Sequence, residues 1–426
     1  MKKTILIFCL LFSILLSAQS TYIHCGKLID TQNEKVLKEM TIVVTDTKIT
    51  AVKKGYIQAV SDQDKTIDLK NKTVMPGLID MHVHIEHEYD KYSYVNRFSN
   101  DNVDAAFKST VFAKRTLLAG FTTVRDLGGS GVNISLRNAI NKGIIIGPRI
   151  YTAGKAIATT GGHADPTNGV RKELRGNPGP KEGVINSPAD ARKAVRQRYK
   201  NGADVIKITA TGGVLSVAKD GSGPQFTMEE LTEIVKTAND YGMITAAHAH
   251  GAEGMKRAVL AGITTIEHGT LMTDEIMDLM KQKNTYYVPT ITAGKYVAEK
   301  AAIKGFYPAL VVPKALAIGP QIQNTFGKAY KKGVPIAFGT DAGVFPHGEN
   351  GKEFGYMVEA GMPPLKAILS ATSVNANVLK NDLIGSIAKG KIADIIATDE
   401  DPTQNIHTLE KVNFVMKEGV VFKGGK

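Results

Sequence analysis

The chain has 426 residues, and its 53 Lys and Arg against 41 Asp and Glu give a formal net charge of +12. Hydrophobic residues make up 43% and charged residues 22%, which is ordinary globular usage and excludes an intrinsically disordered protein. Two cysteines in a chain of this length exclude a disulfide scaffold. The basic residues are scattered without a dense block or a nucleic-acid motif, so we expect no nucleic-acid partner.

The first 19 residues have the pattern of a signal peptide. Lys2 and Lys3 precede an apolar run over residues 5–16, and small residues follow where a signal peptidase cuts. The run is too short to span a bilayer, and no other run approaches the ~20 apolar residues of a membrane helix. We therefore expect an exported protein, periplasmic or secreted, whose mature form has no membrane span.

Both ends of the remaining chain read as short strands. Residues 20–74 contain short alternating apolar runs separated by turns, which predict small antiparallel strands. The chain returns to this pattern over residues 383–426, with predicted strands at 393–397, 412–417 and 420–423. We expect the two segments to form one small discontinuous β-sandwich domain.

Residues 75–382 predict a catalytic domain of the α/β class. Short apolar runs alternate there with longer amphipathic stretches, which is typical of βα units around a parallel sheet. Eight runs are predicted as strands, at 78–83, 122–126, 149–153, 205–210, 244–248, 264–267, 287–291 and 335–338. Helices are predicted between them, for example at 105–118, 189–200, 228–241 and 273–283. Eight such units indicate a (β/α)8 TIM barrel.

The ends of the predicted strands carry a set of residues that suits a metal ion. Functional residues of a TIM barrel lie at the C-terminal ends of its strands. His82 and His84 end the first strand, and their spacing of two places both imidazoles on the same side. Other strands supply further candidates, namely Lys207, His248, His250, His268 and Asp341. Neutral imidazoles and a carboxylate are ligands of zinc-like divalent metals, so the set predicts a metal site.

The ordered motifs resemble the amidohydrolase superfamily, specifically its branch of prolidase-like Xaa-Pro dipeptidases, Xaa-Arg/Lys carboxypeptidases and imidazolonepropionases. The matching segments are PGLIDMHVH at 76–84, TVRD at 123–126, TGGH at 160–163, KITATGG at 207–213, AHA at 247–249, IEHG at 266–269 and GTDAG at 339–343. The segment at 385–394 resembles the returning β-domain of that family. The resemblance covers essentially the whole mature chain.

The resemblance implies two divalent metal ions and a small-molecule substrate. Zinc is the expected metal, and manganese, cobalt and iron tolerate similar ligand sets. Six side chains would hold the ions: His82, His84 and Asp341 on one, His248 and His268 on the other, and Lys207 on both. Lys207 would carry a carbamate derived from carbon dioxide, which turns a costly buried cation into an anionic ligand. A metal-bridging hydroxide would attack the scissile carbonyl, with Asp341 as the catalytic residue that moves the water proton to the departing amine.

Four further residues are candidates for substrate contact. By resemblance, His250 stands where related proteins often carry tyrosine, at a position that holds a substrate carboxylate. His163 of the Gly-Gly-His loop would join it in an anion pocket, although a local structural role is open for both. Arg125 and Tyr287 either touch substrate or are structural. His347 is a weaker candidate, and side-chain preference is assigned to two predicted loops at residues 164–187 and 292–313.

The leading hypothesis is an exported binuclear metallohydrolase that cleaves the amide bond of a dipeptide or an N-acyl amino acid. One alternative is a cyclic amide or lactone hydrolase of the imidazolonepropionase type. A non-catalytic periplasmic binding protein is less favoured because all six ligand positions are present. A serine hydrolase is disfavoured because no Gly-x-Ser-x-Gly elbow follows a strand. Oligomeric state is left open, a homo-oligomer included.

Overall fold

A computed structural model describes residues 19–219 and 221–424 of the chain. The predicted signal peptide, apart from Gln19, lies outside the described residues. Within the described ranges, no helix combines the length and the apolar character needed to cross a bilayer.

The described strands and helices alternate through the middle of the chain. The strands are β1 (Ser20–Asp30), β2 (Lys35–Thr45), β3 (Lys48–Lys54), β4 (Lys65–Pro76), β5 (Leu78–Val83), β6 (Phe121–Asp126), β7 (Arg149–Thr152), β8 (Ala158–Thr159), β9 (Val184–Ile185), β10 (Val205–Thr209), β11 (Ile244–Ala249), β12 (Thr265–His268), β13 (Tyr286–Val288), β14 (Ile395–Thr398), β15 (Phe414–Lys417) and β16 (Val420–Lys423). The α-helices are α1 (Ser93–Ser99), α2 (Asn102–Leu118), α3 (Val132–Asn141), α4 (Pro188–Lys200), α5 (Met228–Asp240), α6 (Ala252–Leu260), α7 (Asp274–Lys283), α8 (Ile291–Ala301), α9 (Val312–Lys331), α10 (Lys352–Glu359), α11 (Pro364–Leu369) and α12 (Asn375–Val378). A π-helical turn, Ser370–Val374, joins the last two helices, and 3-10 turns lie at Lys172–Leu174 and Ile406–Glu410.

Strands from both ends of the chain share one seven-stranded sheet. Its order is β16-β15-β14-β4-β1-β2-β3, and it is mixed because β1 and β4 run parallel while the other pairs are antiparallel. Alternating apolar residues of these strands, such as Ile23, Ile42, Ile395 and Phe414, form a core of their own. The shared sheet follows from the predicted return of the chain, and the two-sheet sandwich stays a prediction.

The middle of the chain forms parallel strands in the predicted order. One sheet has the order β5-β6-β7 and another the order β10-β11-β12-β13, with parallel pairing throughout. Single parallel bridges join these sheets to residues outside their strands, at Ile157 with Ile208 of β10, at Ile336 with Tyr287 of β13 and at Ala342 with Val83 of β5. The named ladders therefore form two sheets, and isolated bridges supply the links between them.

The predicted eighth strand, residues 335–338, is not a ladder strand. Its backbone still bonds to both neighbours. Tyr287 donates to the carbonyl of Pro335, Ala337 donates to the carbonyl of Tyr287, and Met81 donates to the carbonyl of Phe338. Pro335 has no N–H to offer, which removes one ladder bond at the start of the segment. The segment still lies between β13 and β5, where an eighth strand is expected.

Helix ends and faces follow ordinary sequence rules, as α5 illustrates. Thr227 accepts from the backbone N–H of Glu230, and the Glu230 side chain accepts from the backbone of Thr227, which is a capping box. The buried face of α5 includes Leu231, Ile234 and Ala238, spaced as one side of a helix requires. Its apolar side therefore packs on the parallel strands.

The predicted loop at residues 292–313 is wrong in most of its length. Residues Ile291–Ala301 form α8, and α9 begins at Val312. Pro320 inside α9 and glycines at positions 294 and 319 weaken the helical pattern in the sequence. Tertiary packing of the two helices against each other overrides that weakness.

The seven-stranded sheet is tied to the parallel strands by charge. Arg149, at the start of β7, donates to Thr123 at 2.9 Å and to a carboxylate oxygen of Asp394 at 2.7 Å. Its second terminal nitrogen pairs with Glu418. Because Asp394 lies just before β14, this largely buried arginine fixes the C-terminal strands against the parallel sheet.

Candidate metal centre

The structure brings the six predicted ligands together at the carboxyl ends of the parallel strands. All six line one cavity of about 1260 Å³, together with His163 and His250. His82, Lys207, His248, His268 and Asp341 are buried, whereas His84 is partly exposed. Sequence positions up to 259 residues apart thus meet because parallel strands end at one edge.

Two imidazoles and one carboxylate direct electron pairs at one spot. Nδ1 of His84 lies 2.8 Å from the carbonyl oxygen of Gly128 and must carry the proton, because a carbonyl only accepts. Nδ1 of His82 donates in the same way to Glu267, at 2.9 Å. Both Nε2 atoms are then unprotonated, and they lie 3.4 and 3.3 Å from Oδ1 of Asp341. That buried oxygen has no hydrogen-bond partner among the described residues, so the three donor atoms fit a shared cation.

A third imidazole reaches the same place. One ligand atom each of His82, His268 and Asp341 lies within 4.8 Å of the others, and all three residues are buried. The rings of His82 and His268 are 5.0 Å apart. This is the grouping of histidine and carboxylate that divalent metals use.

His82 is supported by a fully buried ion pair. Glu267 accepts from His82 through one carboxylate oxygen and from Arg125 through the other, the latter at 2.8 Å. Arg125 also donates to the Met81 carbonyl and to the hydroxyl of Thr265, and its side chain has no exposed surface. Arg125 does not line the cavity and its guanidinium is engaged behind His82, which favours the structural alternative, and its contact with substrate stays a prediction.

His268 is held by hydroxyl groups instead. Its Nδ1 is hydrogen-bonded to Oγ1 of Thr290 at 2.8 Å, and its backbone carbonyl accepts from the Tyr287 hydroxyl at 2.9 Å. Tyr287 is fully buried and does not line the cavity, which favours the structural alternative, and its contact with substrate stays a prediction. The resemblance and the strand pattern could not decide this, because the direction of the tyrosine ring depends on packing.

Left-handed backbone occurs at three of these positions. His268, Thr290 and Asp341 have φ values of 70°, 53° and 63°, a region that residues other than glycine rarely adopt. At each of the three positions the conformation turns the chain sharply, so that the side chain faces back over the cavity. Such strain clusters at functional sites, where surrounding contacts hold it in place.

His163, His248 and His250 form a group of packed rings beside His268, whose ring centroid lies 4.6 Å from that of His248 and 5.0 Å from that of His250. His163 lies flat on His248 with ring centroids 4.3 Å apart, and His248 meets His250 edge-on at 4.7 Å. Nε2 of His248 donates to the carbonyl of Gly212 at 3.2 Å, which leaves Nδ1 unprotonated. Nδ1 of His250 is bonded to Thr270 at 2.9 Å. Spacing does not decide whether His248 or His250 binds metal, so the choice of His248 rests on the resemblance.

Lys207 is buried among the candidate ligands. Its Nζ lies 3.4 Å from Nε2 of His82, and burial lowers the pKa of its ammonium to about 8, against the opposing pull of the Glu267 and Asp341 carboxylates. Burial has the opposite effect on the pKa of Asp341, which it raises.

The imidazoles of the site are kept neutral by their burial. It lowers the pKa values of His82, His84, His248 and His268 well below the usual range, and nearby cationic groups, Lys207 among them, lower them further. Neutral imidazole is the form that binds metal, so the environment favours ligation.

Sequence reasoning missed two supporting acids. Asp80 accepts from the backbone N–H of His82, from Thr340 and from Asn350, and so ties β5 to the segment that carries Asp341. Glu267 belongs to the IEHG segment at 266–269 but not to the predicted ligand set. Both acids lie one or two positions from a predicted ligand, and that adjacency is the available signal. His347 is a support as well, bonded to the backbone carbonyls of His84 and His87.

Comparison with known proteins identifies the family. The model of the amidohydrolase family matches residues 73–425. A crystal structure of a Xaa-Pro dipeptidase with bound methionine is 54% identical, covers 95% of this chain and 100% of that chain, and superposes with a TM-score of 0.93. A prolidase complexed with N-methylphosphonate-L-proline is 30% identical, with 95% and 100% coverage and a TM-score of 0.86. The ochratoxinase of Aspergillus niger is 32% identical over 96% of this chain and 87% of its own length.

These matches span both the parallel strands and the C-terminal strands of the shared sheet. The fold is accordingly the amidohydrolase fold, a TIM barrel with α/β content, and the cavity of eight clustered polar side chains lies at its strand ends. The chain belongs to the amidohydrolase family and is a hydrolase of carbon–nitrogen amide bonds.

Proposed function

We propose that this protein is a binuclear metal-dependent hydrolase that cleaves the amide bond of a dipeptide or an N-acyl amino acid. The observation that carries the proposal is the convergence of unprotonated Nε2 atoms of His82 and His84 on the buried, unpartnered Oδ1 of Asp341. With Lys207 as a carbamate rather than an ammonium, three electron-pair donors at such separation repel one another unless a cation lies between them. The residues therefore fit a metal ion.

His82, His84 and Asp341 would hold one ion, and His248 and His268 a second. Lys207, as a carbamate, would be shared by both. Bound divalent ions supply a Lewis acid that polarises the scissile carbonyl and lowers the pKa of water. Support for the second ion comes from His248, whose Nδ1 is unprotonated, and from His268, which lies beside His82.

Asp341 is the residue proposed to move the proton. Asp341 lines the cavity, so while Oδ1 holds the ion the second carboxylate oxygen would accept a proton from the attacking water. The same group can then deliver the proton to the departing amine.

His163 and His250 are proposed to bind the substrate carboxylate. Burial holds both imidazoles neutral, with pKa values of about 3, so each offers an N–H donor without a charge of its own. The ammonium of Lys314 lies close enough to depress both pKa values further, and its field attracts an anion. Two relatives were solved with methionine and with N-methylphosphonate-L-proline, ligands that contain an amino acid.

The test uses protein purified from cells grown with zinc and bicarbonate. Its activity is assayed on dipeptides and N-acyl amino acids, and bound metal is measured in the same samples. We expect about two ions per chain and hydrolysis of at least one substrate. Asp341→Asn is expected to lower kcat by about 10³-fold or more, since it removes the base and a ligand. Asp278→Asn on the exposed face of α7 is the matched control.

Lys207→Ala separates the metal proposal from the fold. It is expected to lose activity and to lower metal occupancy, because a ligand to both ions is gone. Full activity in Lys207→Ala would refute the shared-ligand role. Two bound ions without hydrolysis of any amide in the panel would refute the substrate class.

A further inference from the structure

We propose that the exposed face of α2 binds the same face of a second copy of this chain, in an antiparallel pair whose two-fold axis passes near Phe107. The inference goes beyond the proposed function and does not depend on it, since it concerns an outer surface of the molecule. It is carried by the apolar character of that face and by the order of the charges beside it.

An apolar stripe runs along the outside of α2. Val103, Phe107 and Val111 are spaced by four residues, so they lie on one side of the helix. They are 57%, 72% and 48% exposed, respectively. At about 150–250 Å² for a whole aromatic side chain, Phe107 alone leaves roughly 110–180 Å² in water. An apolar stripe of this kind on a soluble protein indicates a surface that another molecule covers.

The outer helix α7 shows what a face in contact with water alone contains. Its exposed positions are all polar: Asp274, Glu275, Asp278, Lys281, Gln282 and Lys283. Helix α2 likewise buries one apolar face, which includes Phe112 and Leu117. The stripe is a second apolar face on the far side of α2, and packing onto the strands does not account for it.

Exposed apolar residues also flank the stripe. A Cβ atom on Gly147 would lie 3.0 Å from the Cβ of Ala113, so the segment that ends at Gly147 lies beside α2. Ile144 and Ile146 of that segment are exposed. A stable interface buries about 800 Å² on each partner and is most apolar at its centre. The stripe and these isoleucines supply such a centre.

The charges on the other flank of the stripe change sign along the helix. Asp101 and Asp104 lie at the N-terminal end, where a capping box fixes both carboxylates. Lys108 and Arg115 lie farther along, and the spacing i, i+3, i+7 and i+14 places all four residues on one flank. This order suits the dipole of the helix, and it also determines how two copies of the helix can pair.

An antiparallel pairing brings opposite charges together. With Phe107 of both copies at the axis, Lys108 lies nearest to Asp104 of the partner subunit. Arg115 lies nearest to Asp101 of the partner subunit, and each pair occurs twice because the interface is symmetric. A parallel pairing would instead place acid beside acid and base beside base. Among the described residues of its own chain, Lys108 has no ion-pair partner, so it is available to the second copy.

The mixed signs favour a second copy over a lipid surface. A helix that binds membranes presents lysine and arginine beside its apolar face, because the lipid surface it meets is anionic. Here Asp101 and Asp104 would meet the lipid headgroups and be repelled. The same two acids stabilise the antiparallel pair.

The proposed interface borders the candidate metal centre's cavity. Asp101, Ala105 and Lys108 belong to the charged flank of α2 and also line the cavity. In a symmetric antiparallel pair the charged flanks of the two copies lie against each other. The two cavities would therefore open side by side, each with the second copy at its edge.

Analytical ultracentrifugation of the purified protein over roughly 0.1–100 μM tests the association. We expect dimers, or larger assemblies built from them. Phe107→Glu places a charge at the centre of the interface on both copies and should raise the dissociation constant by about 100-fold or more. Leu316→Glu is the control, because Leu316 is 50% exposed on α9 and lies outside the stripe, so this variant should associate normally.

Paired cysteines test the direction of the two helices. In the proposed pair Val103 lies opposite Val111 of the partner subunit, whereas the two copies of Val103 are about 12 Å apart along the helices. A disulfide needs Cα atoms within about 7 Å of each other. A mixture of Val103→Cys and Val111→Cys proteins should thus form a crosslinked dimer on oxidation, and Val103→Cys alone should not. Cys25 is buried and does not compete.

Three outcomes would overturn the inference. They are an unchanged protein that stays monomeric over the whole range, a folded Phe107→Glu protein that associates as tightly as the unchanged one, and crosslinking by Val103→Cys alone but not in the mixture. If Phe107→Glu fails to fold, Phe107→Ser takes its place with the same expected direction. Monomers that bind vesicles of anionic phospholipid would assign the stripe to a membrane and refute the pairing.

Discussion

The two halves of the candidate metal centre are supported in different ways. On the β5 side, His82 is fixed by Glu267, which is in turn held by Arg125 in an ion pair without exposed surface. On the β11 and β12 side, the ligand candidate His268 and its neighbour His250, a proposed substrate contact, are bonded to threonine hydroxyls at 2.8 and 2.9 Å.

The two kinds of support predict different responses when a supporting side chain is removed by mutation. A buried ion pair holds its geometry firmly, but only while both partners are present, because a single charge left in the interior is costly. A hydroxyl can rotate to donate or accept, so it adapts to the tautomer of the imidazole and costs less when removed. The β5 half is therefore the rigid half, and the β11–β12 half is the adjustable one.

The largest expected effect comes from Arg125→Met. The change keeps much of the side-chain volume but leaves Glu267 as an unpaired buried charge, so we expect the free energy of unfolding to fall by about 3–5 kcal/mol. Urea unfolding measures it. Arg192→Met, which removes a partly exposed pair with Glu233, is the control and should cost about 1 kcal/mol or less. Equal losses in both proteins would remove the contrast between the halves.

The next effect is on metal affinity. Glu267→Gln removes the carboxylate that accepts from His82 and should weaken metal binding by about 10- to 100-fold, as measured by competition with a coloured chelator. Glu230→Gln, a buried acid in the capping box of α5 far from the cavity, is the matched control. Unchanged affinity in Glu267→Gln would show that the β5 half does not depend on its ion pair.

The adjustable half should respond less. Thr290→Val removes the hydroxyl bonded to His268, and we expect metal affinity to fall by about 3- to 10-fold, the loss of one hydrogen bond. Thr270→Val removes the corresponding bond to His250 and should raise KM for a carboxylate substrate with metal affinity unchanged. Thr290→Ser keeps the hydroxyl and should retain affinity. A loss in Thr290→Val as large as that in Glu267→Gln would contradict the comparison.

A further prediction, away from the metal ligands, is a pH dependence of stability. Glu353 accepts from the backbone of Ile291 and Thr292 at the start of α8, and burial raises its pKa from 4.5 to about 8. The folded protein then binds this proton between about pH 4.5 and 8 while the unfolded chain does not. The contribution of Glu353 to the free energy of unfolding is fully present below pH 4.5 and is lost as the pH rises to about 8. Glu353→Gln should flatten the decline of the unfolding free energy over that window, and an unchanged slope would contradict it.

Much of the fold could be predicted because hydrophobic periodicity is local. The strands at β5, β6, β10 and β11 begin and end within about two residues of their predicted bounds, and the His-x-His spacing alone placed His82 and His84 on one side. Parallel strand ends then place distant ligands together without further information.

What could not be predicted depends on contacts between distant segments. Arg125 and Tyr287 lie on the right strands, but only the packed structure shows that each supports a neighbouring histidine. Glu267 can be a buried carboxylate beside His82 only because Arg125, 142 residues away, pairs with it. His268 and Asp341 have left-handed backbone although neither is glycine, so the sequence does not predict this conformation. Surrounding contacts impose it.

The seven-stranded sheet has a consequence for how the protein folds. β4 pairs with β14, so that Met75 lies opposite Ile396, and three strands from the last 30 or so residues complete the sheet. Closing so long a loop comes late and slowly, and until then β4 presents an open, apolar edge to other chains. Refolding yield should accordingly fall with protein concentration, and a chain cut before Ile395 should aggregate even though every candidate metal ligand is still present.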